Sequence, residues 1–151
     1  MRKIINILII ILVVISCESK KITTYEQALI IGLTIDSALI HDSGLNTNDY
    51  WIDFSETDYF EKQAIDDFLK QRQNFIEINS DSLIKNDTNW IQYGFLHNML
   101  IKFRQVDIQG NSLIINLDKI KATDGSNGIQ IIMKKENSQY KVISSKMTWI
   151  S

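Results

Sequence analysis

The hydrophobic positions of this chain follow one spacing in the first part of the sequence and another in the last part. Between residues 28 and 39 the apolar residues recur at helical spacing, and Thr23 and Glu26 before them have the form of a capping box. Gly44, a residue that takes a left-handed conformation easily, predicts the end of this helix. From residue 99 onward apolar and polar residues partly alternate and β-branched residues are frequent, which is typical of strands. We therefore expect helices first and a sheet after them.

Between these two regions the pattern predicts a short strand and a second helix. The aromatic segment 50–54 is bounded by Asn and Ser, which favours a strand. The second helix is expected from about residue 58 to residue 76, with Ser55 or Thr57 as its cap and acidic residues in its first turn. The apolar residues of 90–100 fit neither period, so that segment is either helix or strand.

The last part of the chain predicts four strands joined by hairpins, at residues 99–108, 113–122, 129–135 and 140–150. In the last strand Tyr140 and Val142 alternate together, whereas Trp149 has the opposite parity. A bulge near residues 144–145 would reconcile them and bend the sheet. The expected fold is α+β, with N-terminal helices packed on a curled antiparallel β-meander in one domain, residues 23–151.

The N-terminus has the layout of an export signal. Two basic residues precede an apolar run, 4–15, that is broken only by Asn6. The run is shorter than the roughly 20 apolar residues that a membrane-spanning helix needs. The positive charges before it hold that end on the cytoplasmic side during export. The sequence therefore predicts that residues 1–16 are a signal peptide.

The segment Val14-Ile15-Ser16-Cys17 resembles the lipobox of bacterial lipoproteins. The resemblance implies that cleavage follows Ser16, that the Cys17 thiol carries a diacylglyceryl group with palmitate-type chains, and that residues 17–22 form a tether. The implied location is a membrane of the bacterial cell envelope, on its periplasmic or outer side. Because Cys17 is the single cysteine of the chain, no disulfide forms within it, and lipidation accounts for the thiol.

The charge of the chain limits the class of partner. Removal of Arg2 and Lys3 with the signal leaves 14 basic and 18 acidic residues, a net charge of −4, which argues against nucleic acid. The net charge is −9 over residues 22–97 and +4 over residues 98–151. The two parts are expected either to attract one another or to present faces of opposite sign. The alternative is the ordinary preference of helix starts for acids and of edge strands for lysines.

Three residues are candidate ligand contacts. His97, with Trp90 nearby, is expected to line a cavity between helices and sheet, the alternative being a packed or surface histidine. Trp149 lies near a predicted open sheet edge. One interpretation is that it stacks on a ligand or partner, and the other is that it is buried in the domain. His41 is expected to interact with the C-terminus of the first helix. In its order of elements the chain resembles nuclear transport factor-like and cystatin-like domains, and this resemblance implies no site residue.

The sequence favours a non-enzymatic function. It contains no Gly-x-Ser-x-Gly elbow, phosphate loop, Cys-x-x-Cys pair or His-Glu-x-x-His motif, and its acidic stretch 49–67 lacks the spacing of a calcium loop. No catalytic residue, metal site or cofactor is therefore predicted. The favoured function is a membrane-tethered binding or accessory module with an envelope protein as partner. The alternatives are a small-ligand binder or envelope enzyme with a pocket near His97, and an immunity-type inhibitor.

The lipid anchor is tested by removing its attachment atom. Cys17→Ser is expected to give unprocessed precursor or soluble protein, because two or three acyl chains are needed to hold a protein firmly on a bilayer. Metabolic labelling with palmitate and the mass of the purified chain measure this. A Cys17→Ser protein that is processed and membrane-bound like the wild type would contradict the lipobox interpretation.

Overall fold

The computed structural model describes residues 22–41, 48–81, 98–121 and 125–150. Their helices and strands are, in chain order, α1 (Thr24–Ile40), β1 (Asp49–Asp53), α2 (Lys62–Gln71), β2 (Phe75–Glu77), β3 (Asn98–Gln109), β4 (Ser112–Lys121), β5 (Gly125–Glu136) and β6 (Gln139–Ile150). Helices N-terminal to a curled sheet confirm the predicted α+β class. Within the described ranges no helix combines the length and apolar character that crossing a membrane requires.

The six strands form one mixed sheet in the order β2-β1-β3-β4-β5-β6. Strands β3 to β6 are a continuous antiparallel meander, as the sequence predicts. β1, however, pairs in parallel with both β3 and β2, so the sheet is wider than the predicted meander and only partly antiparallel. The parallel pairing of β1 with β2 follows from their connection, because α2 lies between them in the chain and carries the chain back to the same end of the sheet.

The first helix begins as the sequence predicts. The Thr23 hydroxyl accepts from the Glu26 amide at 3.2 Å, and the Glu26 carboxylate accepts from the Thr23 amide at 3.0 Å. This capping box satisfies two amides that lack partners within the helix. The helix ends at Ile40 with His41 as its C-cap, while the predicted terminator Gly44 lies outside the described residues.

The predicted second helix is wrong at both ends. α2 begins after Glu61 rather than after Ser55 or Thr57, and it has no acidic residue in its first turn. Its predicted C-terminal part is instead the strand β2. Phe75 stacks on Tyr50 of β1, with ring centroids 4.8 Å apart. Tertiary packing thus overrides the helical spacing of these apolar residues.

Bulges bend the sheet. The predicted bulge in β6 is confirmed, since the register with β5 shifts between its Ser144 and Val142 pairs and leaves Ile143 without an opposite residue. The expectation that this bulge brings Trp149 to the face of Tyr140 and Val142 is wrong, because a second shift after Met147 turns Trp149 to the other face. Similar shifts leave Thr148 of β6 and Arg104 of β3 unopposed. An extra residue on one strand increases the local twist and bend. The sheet therefore has a concave inner face, toward α1 and α2, and an opposite outer face.

The hydrophobic core lies between the two helices and the inner face of the sheet. α1 contributes Ile30, Ile31 and Ile35, which are completely or almost completely buried. At the other side of the core, Phe103 of β3 stacks on Phe54 and meets Phe60 edge-on, with centroid separations of 4.7 and 5.5 Å. A smaller cluster around Leu100, with Trp51 and Ile120, lies apart from this core.

Phe103 is the best single test of this core. Phe103→Ala is expected to lower the free energy of unfolding by ~3–5 kcal/mol, because it removes a completely buried ring and leaves a cavity. Ile108→Ala on the same strand is the control, since Ile108 is 62% exposed and should change the free energy by about 0.5 kcal/mol or less. Urea denaturation measures both variants, and equal effects would contradict the described packing.

Candidate functional site

Three of the four residues predicted to have a functional role lie outside the described residues: Cys17, Trp90 and His97. The fourth, Trp149, lies on the outer face near the end of β6, which pairs with β5 alone among the described strands. Its indole ring occupies the space over Gly128 that a side chain at that position would fill. The ring is 43% exposed. The predicted role of Trp149 in binding stays a prediction.

A groove lies between α1 and the turn that joins β5 to β6. We call it the α1 groove, and it is lined by Tyr25, Glu26, Leu29, Leu33 and the turn residues Asn137, Ser138, Gln139 and Tyr140. Its volume is about 480 Å³. On the helix side, Tyr25, Leu29 and Leu33 follow one another at intervals of four residues, which places them on one face of α1. They are 68%, 47% and 36% exposed, respectively.

Local interactions fix both walls of this groove. Asn137 and Ser138 have positive φ angles of 49° and 65°, as a tight two-residue hairpin requires. Lys135, just before the turn, donates to the Glu26 carboxylate on α1 at 2.6 Å and lies 5.1 Å from the centre of the Tyr140 ring. Hydrogen bonds from Lys135, and then from the Thr23 amide, hold the pKa of Glu26 below its ordinary value. The ion pair therefore joins α1 to the hairpin beside the groove.

A second feature is an ion-pair cluster on the outer face. Asp53, Lys102 and Asp118 lie opposite one another on β1, β3 and β4. The buried Lys102 ammonium lies 2.8 Å from Glu56 and from Asp81, and 3.8 Å from Asp53. The cluster is completed by Arg104, which donates to Glu56 and Asp118, each at 2.5 Å.

Asp53 anchors this cluster to the neighbouring loops. Its carboxylate is completely buried and accepts from the amides of Ser55 at 2.7 Å and Ser80 at 2.9 Å, and also from the Ser80 hydroxyl. Burial alone would raise the pKa of Asp53, but the hydrogen bonds from Ser80 and Ser55 outweigh it and lower the pKa below the usual 3.8. The charges are paired with one another, so the cluster holds loops on the sheet. Within the described ranges no three carboxylate, histidine or cysteine side chains are grouped to hold a metal ion.

A third feature is a polar cluster on the inner face where α1 ends. The His41 ring nitrogen Nε2 lies 2.8 Å from the Ser145 hydroxyl of β6. Lys119 of β4 is completely buried and donates to the His41 backbone carbonyl. The sequence predicts that His41 interacts with the C-terminus of α1. In the structure the cation at this helix end is Lys119 instead, and the helix dipole favours a cation there. Sequence reasoning missed Lys119, because a lysine within an alternating strand is normally a solvent-facing residue.

Comparisons with known proteins identify no family for this chain. No family model matches it, and no curated protein matches it. One solved structure, described as a de novo designed protein with curved beta-sheet, matches at 12% identity and covers 79% of this chain and 95% of that chain. Its TM-score is 0.34, at which it carries no argument about this fold. The resemblance to nuclear transport factor-like and cystatin-like domains stays a prediction.

The anchoring role of Asp53 predicts a pH dependence of stability. Because its pKa is lowered on folding, ionised Asp53 stabilises the protein above pH 3.8, and this contribution is lost as the pH falls through the lower folded value. Asp53→Asn should therefore be less stable than wild type at neutral pH, by a difference that shrinks below about pH 3.8. Urea denaturation at several pH values measures the difference.

The control for this experiment is Asp58→Asn, because Asp58 is exposed. It should leave the free energy of unfolding almost unchanged throughout the series. A stability difference between wild type and Asp53→Asn that stayed constant down to pH 2.5 would overturn the assigned role of the carboxylate.

Proposed function

We propose that this protein is a lipid-anchored, non-enzymatic binding module of the bacterial cell envelope. In this proposal the lipid on Cys17 confines the domain to a membrane surface, and the α1 groove holds a segment of an envelope protein. The proposal rests on one observation above others, the row of exposed apolar side chains along α1 that borders a concave surface.

The α1 groove has the properties of a docking surface. α1 already buries one apolar face in the core, and its exposed row at intervals of four residues is a second apolar face. Contiguous exposed apolar surface is unfavourable in water and marks interaction sites in small soluble domains. Residues spaced like Tyr25, Leu29 and Leu33 present their side chains in one line, so that a partner contacts all three at once. The 480 Å³ volume of the groove is in the range of binding clefts.

The proposed anchor places this groove close to the membrane. Four residues, and therefore five Cα-to-Cα steps, lie between Cys17 and Ile22, where the described structure begins. At most about 3.5 Å per residue, that length of chain spans about 18 Å. The start of α1, and Tyr25 with it, would therefore stay near the bilayer surface. Confinement of that kind raises the effective concentration of the groove toward membrane-bound partners without any new contact.

The inner polar cluster supports a second candidate function, the binding of a small ligand. It brings the His41 ring and the Ser145 hydroxyl to the concave face of the sheet, where the buried Lys119 ammonium holds the His41 backbone carbonyl. A few convergent polar groups in a concave apolar setting are typical of ligand sites. An immunity-type inhibitor would use the protein-docking surface instead, with a toxin as the partner.

The groove is tested by cross-linking in living cells. A photoreactive residue in place of Leu29 should form an adduct with one envelope protein, since its exposed side chain points into the docking surface. Leu33→Glu in the same chain should reduce the yield of that adduct at least about tenfold, because it places a charge in the apolar contact. Gel mobility and mass spectrometry of the adduct measure the yield and identify the partner.

The matched control carries the photoreactive residue in place of Ile76, which is 55% exposed on β2 at the opposite edge of the sheet. It should not yield the same adduct. Equal labelling at Leu29 and Ile76, or no adduct at Leu29, counts against the binding module. A toxin recovered as the partner would favour the inhibitor.

A further inference from the structure

The last strand of the sheet leaves one side of its backbone open. β6 runs over 12 residues and pairs with β5 alone among the described strands. The peptide groups that point away from β5 therefore have no partner strand in the described structure, and such an edge is a template for a further strand. The unopposed residues Ile143 and Thr148 interrupt the edge and leave the four residues from Ser144 to Met147 in regular register between them.

The two faces of this edge differ in chemistry. On the inner face, Tyr140 and Val142 pack against the core, Ser145 lies beside the His41 ring, and Met147 lies opposite the buried Ile129. Tyr140 also lines the α1 groove, so the inner side of the edge continues into the exposed apolar row of α1. A strand added beside β6 would place every second side chain on this apolar side.

The outer face beside the same edge is basic. Lys134 and Lys141 lie directly opposite one another, and Lys146 follows opposite Gln130. We call these three the outer lysines. Among the described residues one ion pair involves them, between Lys141 and Glu136 at 3.6 Å. Two lysines in opposite positions repel each other, and a partner carboxylate beside Lys141 would reduce that repulsion.

We propose that β6 binds an extended segment of the envelope partner as a seventh strand, and that this segment alternates apolar residues with Asp or Glu. The apolar side chains would lie on the inner face toward the α1 groove, and the carboxylates would lie on the outer face beside the outer lysines. Main-chain hydrogen bonds supply affinity in this mode of binding, and the alternating side chains supply specificity. This inference rests on the proposed function, since it names the chemistry of the partner segment.

A second copy of this chain fits the edge less well. If two β6 edges paired antiparallel about a twofold axis, the outer lysines of both copies would lie on one face of the joined sheet. Like charges on neighbouring strands destabilise the pairing. The bulges at Ile143 and Thr148 would be present on both sides of the new contact and would disturb its register twice. The charge pattern therefore favours an acidic partner over self-association.

The test uses the mature lipoprotein, purified in detergent, and two synthetic peptides that alternate Val with Glu or Val with Lys. The Val-Glu peptide should bind and the Val-Lys peptide should not. Binding is followed by amide hydrogen exchange, which should slow across residues 139–150, and by the fluorescence change of Trp149, with Trp149→Phe identifying its share of the signal. No binding of either peptide, or equal binding of both, would refute the proposal.

Charge reversal makes the test specific. The double variant Lys141→Glu, Lys146→Glu should lose at least about tenfold in affinity for the Val-Glu peptide and should bind the Val-Lys peptide instead. Binding of the Val-Lys peptide would show that the double variant is folded. The single variant Lys146→Glu should show a smaller loss of affinity for the Val-Glu peptide and a smaller gain for the Val-Lys peptide. The control is Lys70→Glu, because Lys70 is an exposed lysine on α2 and should keep the wild-type preference.

The remaining outcomes separate this inference from the proposed function. If neither peptide binds while the adduct at Leu29 persists, the seventh-strand proposal fails and the binding module stands. If both are absent, the proposed function fails as well. Sedimentation that shows a dimer dissociated by Met147→Lys would assign the edge to a second copy and would also overturn the acidic partner.

Discussion

The packing of one face of α1 into the concave side of the sheet is the contact on which the rest of the structure depends. Ile30, Ile31 and Ile35 enter a surface that the bulges of β3 and β6 have curved around them. A flat sheet of six strands would meet a single helix along a narrow line and leave much of its inner face wet. Curvature lets one long helix and one short one cover a wide apolar surface, and burial of that surface is the main favourable term in folding.

The same curvature explains where the charged residues lie. Lys102 is buried on the outer face, where a lysine costs free energy unless it is paired. Its partners Glu56 and Asp81 come from the loops that follow β1 and β2, so each ion pair also positions a loop. Removing one partner from such a group leaves an uncompensated charge, which is why buried ion pairs are costly to break even when they add little net stability. The outer cluster therefore determines loop positions more than it determines the fold.

Sequence patterns within a few residues predicted the features of this protein that depend on neighbouring residues. They did not predict the features that depend on contacts between residues far apart in the chain. The capping box at Thr23 and the bulge near residues 144–145 follow from residues within a few positions, and both are confirmed. β2 was missed because Phe75 continues the helical spacing of α2, whereas its stacking on Tyr50 depends on the folded sheet. The ion pairs of Lys102 join residues 21 or more positions apart, so a strand with alternating polar residues gave no sign of them.

The α1 groove was missed for a similar reason. Its apolar row is part of a wide helical face in the sequence, and only the position of the sheet decides which part of that face stays exposed.

An open strand edge next to an apolar helix face is a liability for any protein, and more so for one confined to a surface. In the anchored protein that we propose, neighbouring copies share one membrane and meet often, so an edge that accepted any strand would aggregate. The bulged positions shorten the regular part of β6, and the outer lysines penalise a second copy while leaving an acidic strand free to bind. The features that protect the edge are thus the same ones that select its partner. Protection and specificity then have one physical origin, a basic outer face beside an apolar inner face on a single strand.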